Sequence, residues 1–268
     1  MKIKKLISAL VLGSMLVGLS GCNITDFSAE NLLRPPKAVG DEAEIEQLIA
    51  KTADSGYTLK YPKNGKFRSA IIMTDLDGND SNEAVAFFRN SAETSSVHML
   101  VMYSKDNSWE IASDNIFETT DIDSVDFADL TGNGKAEIIV NSTTYTPNVG
   151  KLSCYSYSEG KTNEVGSGQS CSSFVTGDFD NDGTSEIMSL VLYTTENEAL
   201  ASMLDYNEDS KSLYAKAMAN MDPNVVKYKN IAVTKLDNDI TGIVVDGTSA
   251  NEAVSYTHLR AHETTLHL

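Results

Sequence analysis

The sequence predicts an all-β chain with one short helix ahead of its strands, built from a repeated unit. Three observations carry this. A nine-residue acidic segment recurs without gaps at 75–83, 129–137 and 178–186. The copies start 54 and 49 residues apart, and a worn fourth copy opens at Lys235 after another 57. Between them lie apolar runs of strand length bounded by Gly, Asn, Asp and Ser, and no segment shows the 10–15-residue helical periodicity of a parallel α/β fold.

Taken from the front, Lys2, Lys4 and Lys5 precede an uncharged apolar run over 6–19, then Ser20, Gly21 and Cys22. This is the layout of a cleaved export signal, and the run is short for a permanent membrane helix. Removing residues 1–21, with three lysines and no acids, takes the net charge from −17 to −20. Such a surface repels nucleic acid and anionic headgroups, and bound cations would relieve its self-repulsion. Residues 22–41 read as a tether. Ile45, Leu48, Ile49 and Thr52 recur at helical spacing, so 42–68 is expected to hold a short amphipathic helix and a lead-in strand.

From residue 69 the chain divides into strands. The first unit gives 70–74, the acidic loop, 84–88, 97–103 and 109–112. The second gives 124–128, its loop, 138–144, 152–157 and a weaker 163–165. The third gives 173–176, its loop, 187–193, 200–206 and 213–218, and the fourth begins with 231–234 and 243–245. Four strands in about 50 residues suit one β-propeller blade. The fourth unit is incomplete, and a propeller needs closure to protect its edges, so 69–253 is expected to be an incomplete or truncated β-propeller of four-stranded blades.

Within each loop, oxygen-bearing side chains stand at places one, three, five and nine: Asp75, Asp77, Asn79 and Glu83; Asp129, Thr131, Asn133 and Glu137; Asp178, Asp180, Asp182 and Glu186. Alternate residues can turn oxygens toward one hard cation, and calcium accepts six to eight of them. Gly134 and Gly183 at place six permit the left-handed backbone of a tight loop, and Asp80 tolerates it. An EF-hand is excluded, because place twelve is Ala86, Val140 and Ser189. Turn chemistry accounts for Asp, Asn and Gly, but not for a recurrent Glu at place nine. Counting carboxylates, the third loop should bind most strongly and the second most weakly.

These loops resemble the FG-GAP or VCBS-type repeats of integrin-like β-propellers. The resemblance implies a loop between the first two strands of a blade that binds calcium through places one, three, five and nine and a backbone carbonyl at seven. Leu19-Ser20-Gly21-Cys22 resembles the bacterial lipobox, which implies lipid on Cys22 and a membrane-anchored location outside the cytoplasm. In the fourth copy Lys235 stands at place one and Ile243 at place nine, so no ion is expected there. Cys154 and Cys171 could pair in an exported protein, or stand as buried thiols on neighbouring strands.

The function expected on this basis is a non-catalytic surface module binding an unidentified protein or glycan. Trp109, Tyr103 and Tyr145 could line a glycan site, or serve as core. His98 is the only histidine outside residues 254–268 and lies in an apolar run. With no histidine–nucleophile set, the rival enzyme is an exported glycan hydrolase or lyase using carboxylates alone. A solute-binding lipoprotein would need the α/β pattern that is missing. Residues 254–268 change character. His258, His262 and His267 fall there, and 254–259 resembles a translated sequencing-library adapter, so this tail is expected to be non-native.

Overall fold

The computed structural model describes residues 40–54, 56–145, 149–193, 198–220, 225–237, 240–249 and 253–260, from residue 217 onward by backbone alone. The export signal, Cys22 and nearly all of the tether lie outside these residues. The described chain is mostly β with one short helix, α1 (Asp41–Ala53), and its strands form antiparallel sheets in sequence order.

α1 starts after Gly40, whose carbonyl accepts hydrogen bonds from Ala43 N–H (3.1 Å) and Glu44 N–H (3.3 Å). Asp41, Glu42 and Glu44 in its first turn and Lys51 in its last complement the helix dipole. Ile45, Ile49 and Ala53 form its buried stripe.

The first sheet contains β1 (Tyr57–Leu59), β2 (Ile71–Thr74), β3 (Glu83–Asn90), β4 (Val97–Lys105) and β5 (Ser108–Phe117). β3, β4 and β5 form a meander, and β1 and β2 share the remaining edge of β3, so the sheet is four strands wide at any level. The second sheet runs β6 (Ile122–Ala128), β7 (Glu137–Thr143), β8 (Gly150–Ser158), β9 (Lys161–Cys171). The third runs β10 (Ser173–Gly177), β11 (Glu186–Tyr193), β12 (Glu198–Asn207), β13 (Ser212–Asn220). A fourth has three strands, β14 (Val225–Asp237), β15 (Ile240–Ser249) and β16 (Ala253–Arg260). Asp106 and Asn107 both have positive φ in the two-residue link from β4 to β5, as do Glu159 and Gly160 between β8 and β9. That is the turn whose twist matches a hairpin.

Period-two alternation builds the packing. Ala84, Ala86 and Phe88 of β3, with Leu100 and Met102 of β4, face α1 and bury Ile45 and Ile49. Val85 and Phe87, with Val97, Met99 and Val101, face the second sheet and meet Ile122, Val125, Ile138 and Val140. Ile139, Leu152 and Cys154 on the far side of the second sheet meet Ile187, Leu204 and Leu213 of the third. Gly166 leaves the space Leu213 fills, since a Cβ there would lie 2.8 Å from its Cδ1. The central strands are therefore covered on both faces and read as unbroken apolar runs. Each fully buried large side chain contributes roughly 1.5–3 kcal/mol.

Ala253 and the first part of the tail, residues 254–260, run as β16 along β15, with Val245 paired to Tyr256 and Val244 to Thr257. Val254, Tyr256 and Thr257 have the branched and aromatic character that strands favour. Cys154 and Cys171 are free buried thiols. They lie on neighbouring strands, but Cys171 pairs with Gly150, four residues from Cys154. That offset is about 13 Å along a strand, beyond the roughly 7 Å a disulfide spans. Burial pushes both thiols up, away from reactivity.

Candidate metal centres

Each acidic loop joins the first and second strands of its sheet: 75–82 between β2 and β3, 129–136 between β6 and β7, 178–185 between β10 and β11. Place two is apolar and buried in every copy, as Leu76, Leu130 and Phe179. That residue anchors the loop to the core. The place-nine glutamate accepts the place-two N–H at the same distance in all three: Leu76 to Glu83, Leu130 to Glu137 and Phe179 to Glu186, each 2.8 Å.

The rest of each loop is wound by the same device. The place-one carboxylate accepts the N–H groups at places five and six: Asn79 (3.2 Å) and Asp80 (2.9 Å) on Asp75, Asn133 (3.1 Å) and Gly134 (2.8 Å) on Asp129, Asp182 (3.2 Å) and Gly183 (3.1 Å) on Asp178. The place-five side chain accepts the N–H at place seven, from Ser81, Lys135 and Thr184. Positive φ occurs at place six in Asp80, Gly134 and Gly183, and also at place four in Gly78, Gly132 and Asn181.

This winding brings ligand oxygens together. In the third loop Asp178, Asp180, Asp182 and Glu186, and in the first Asp75, Asp77 and Glu83, each offer an oxygen within 4.8 Å of the others. These groups could hold a metal ion. An ion with oxygens at about 2.3–2.6 Å spans such a set, since opposite ligands then lie roughly 4.6–5.2 Å apart. Asn79 stands in the first loop as a neutral oxygen donor. The second loop brings only two carboxylates, Asp129 and Glu137, and Thr131 Oγ1 donates to Glu137 Oε1 at 3.2 Å.

Unpartnered oxygens mark the other two loops. Glu186 is wholly buried, its Oε2 accepts the Phe179 amide, and its Oε1 has no hydrogen-bond partner. Asp77 Oδ1 is likewise buried and unpartnered. An unpaired buried carboxylate oxygen is costly, and a cation would satisfy it. The residues therefore fit a hard divalent ion.

Electrostatics agrees with the geometry. Burial pushes the Glu186 carboxyl up to about 7, with Asp180, Asp182 and Asp205 adding repulsion against the Phe179 hydrogen bond. Burial also raises Glu83 and Glu137. Burial pushes Asp75 the same way, but the amides of Asp80, Gly78, Asn79 and Asp77 together outweigh it and hold that carboxyl low. Hydrogen bonds from the Thr184 hydroxyl and amide lower Asp182.

The loops also touch one another. Ala136 N–H, at place eight of the second loop, donates to Leu76 O in the first (3.0 Å), and Ser185 N–H, at place eight of the third, donates to Asp129 O in the second (2.8 Å). Spacing alone gave no signal of this row. In the fourth unit Lys235 and Ile243 both lie inside strands, Lys235 paired with Thr241 and Ile243 with Val233.

Elsewhere, Trp109 is packed with the α1 core, Tyr103 donates to Glu110 at 2.6 Å, and Tyr145 is exposed. His98 is buried and stacked on Phe88 with ring centroids 4.9 Å apart. Its Nδ1 lies 2.9 Å from Asp114 and its Nε2 3.1 Å from Glu93, so both nitrogens are engaged. Among the described residues no helix is long and apolar enough to cross a membrane. No protein-family model and no curated protein matches this chain.

Proposed function

We propose that this chain is a calcium-stabilised, non-catalytic surface lipoprotein whose stacked sheets are blades of a β-propeller of the FG-GAP or VCBS kind, presented to a protein or glycan partner. The observation that carries it is the unpartnered Oε1 of the wholly buried Glu186, within reach of three aspartates. A rigid, oxygen-only loop of mixed carboxylates and carbonyls suits calcium better than magnesium, which demands a near-ideal octahedron and keeps its waters. Calcium would be held by Asp178, Asp180, Asp182 and Glu186 in the third loop, by Asp75, Asp77, Asn79 and Glu83 in the first, and by Asp129, Thr131, Asn133 and Glu137 in the second. Its role is to neutralise converging charge and fix the loop.

The blade reading is supported by four-stranded meanders stacked in sequence order, each with its loop at the same step. A strongly acidic surface argues against a nucleic-acid partner. Lipid at Cys22 would place the module on the outer side of a membrane. Two measurements test the reading. Equilibrium dialysis of the full chain should retain calcium in the presence of excess magnesium, and a chain that retains none would refute the metal assignment. Radiolabelled palmitate should enter the wild type in cells and be absent from Cys22→Ser; equal labelling would refute the anchor.

A further inference from the structure

The pairing of the two outer strands holds a feature shared by all three complete sheets. In the first, Met102 pairs with Ile111 and Val101 with Ser113, leaving Ala112 as an extra residue. In the second, Tyr155 pairs with Glu164 and Cys154 with Gly166, leaving Val165. In the third, Leu204 pairs with Ala215 and Met203 with Ala217, leaving Lys216. Met102, Tyr155 and Leu204 are themselves equivalent, since they pair with Ala84, Ile138 and Ile187, the residues that follow the place-nine glutamates. The same β-bulge thus carries Ala112, Val165 and Lys216. A bulge re-aims the side chain it carries. Ala112 and Val165 turn onto inter-sheet cores.

Lys216 does something else. Its Nζ bonds Asp180 Oδ2, an oxygen of a proposed ligand, and Asp205 Oδ2 at 2.9 Å. Asp205 also accepts the Tyr214 hydroxyl at 3.1 Å, which fixes it as the lysine's second anchor. Asp180 and Asp205 are largely buried, at 9 % and 14 % side-chain exposure, while Lys216 reaches them from the surface with 32 % of its side chain exposed. Glu186 Oε1 stays unpartnered beside it. The lysine therefore serves one edge of the acidic group and leaves its buried centre unserved.

We propose that Lys216 is a tethered cation that competes with the metal ion at the third loop and sets its affinity. The inference rests on the calcium reading above. When the loop holds no ion, the ammonium ties β13 to the β10–β11 loop through Asp180. When an ion binds, Asp180 must share its charge between ion and ammonium, or release the lysine to Asp205. The first and second loops have no such device, because alanine and valine occupy the bulge. The four carboxylates of the third loop then bind less tightly than their number suggests.

The test is calcium titration of the full chain by calorimetry, in the background Asp75→Ala/Asp129→Ala so that the third loop reports alone, with and without Lys216→Met. Lys216→Met should tighten calcium binding on the order of tenfold, within the usual range of coupling between charged sites. It should also lower the melting temperature of the calcium-free chain, which has lost its substitute cation. Lys216→Arg keeps the charge and should leave the affinity near that of Lys216. Unchanged or weaker binding in Lys216→Met would overturn the proposal and assign the lysine to positioning Asp180, with the calcium reading intact. If the background chain and Lys216→Met both fail to bind calcium while wild type binds it, the third loop is no site and the proposal falls. If wild type also fails, the calcium reading falls with it.

Discussion

His98 shows how a buried polar residue can be a stabilising cluster. Desolvation would lower its pKa, but hydrogen bonds and charge from Asp114 and Glu93 outweigh that and hold it above the ordinary value. Glu93 is drawn down to about 2 by the Ser96 hydroxyl first, then by His98 and Asn90. The folded state thus keeps a proton on His98 that the unfolded chain releases near pH 6.5. The contribution of His98 is complete below that pH and is lost as pH rises through the raised folded value. Glu93 acts in the opposite sense, contributing above its unfolded pKa and losing that contribution as pH falls toward about 2. NMR titration of the imidazole, assigned by the loss of its signal in His98→Gln, should give a pKa above 6.5 that falls in Asp114→Asn. A wild-type value at or below 6.5 would show that the two carboxylates do not hold the proton.

At the scale of elements, the strands around each loop are legible because burial on both faces writes an apolar run such as 84–88, and because the place-nine glutamate has no turn role to explain it. Edge strands are harder. β9 extends over Lys161–Cys171 although only 163–165 looks strand-like, since its exposed positions carry Glu164, Ser167 and Ser170 as an edge can. The bulges are invisible in sequence, because the unpaired residue is defined by the register of two strands and not by its own chemistry. Lys216 accordingly looks like an ordinary surface lysine until its strand is paired. The links from 60–66 to the second sheet are hidden for the same reason: Lys60 reaches Asp121 at 2.9 Å, Lys66 reaches Asp126 at 2.7 Å, and Asn64 N–H donates to Asp123 O at 2.7 Å. These partly exposed ion pairs contribute little singly, but the backbone bond fixes residues 60–66 against the second sheet.

Across the whole molecule, α1 and the first three sheets stack through shared cores, and the loops are joined in a row by the Ala136–Leu76 and Ser185–Asp129 hydrogen bonds. Loss of one ion should therefore lower the stability of the stack rather than release one sheet. An ion bound only by the folded state adds about 1.4 kcal/mol at ten times its Kd. For a chain of this size that corresponds to a shift of roughly 3–6 °C. The third loop has four carboxylates against the single ammonium of Lys216, whereas the second has two carboxylates and already satisfies Glu137 Oε1 through Thr131. In saturating calcium, calorimetric melting of the full chain should show one transition for these sheets. Chelator should lower its midpoint, and Asp178→Ala should remove more of the calcium-dependent shift than Asp129→Ala. Two separated transitions would show that the loops do not couple the sheets. The reverse order of the two variants would show that the second loop's internal hydrogen bonds prepare it for the ion instead of replacing it.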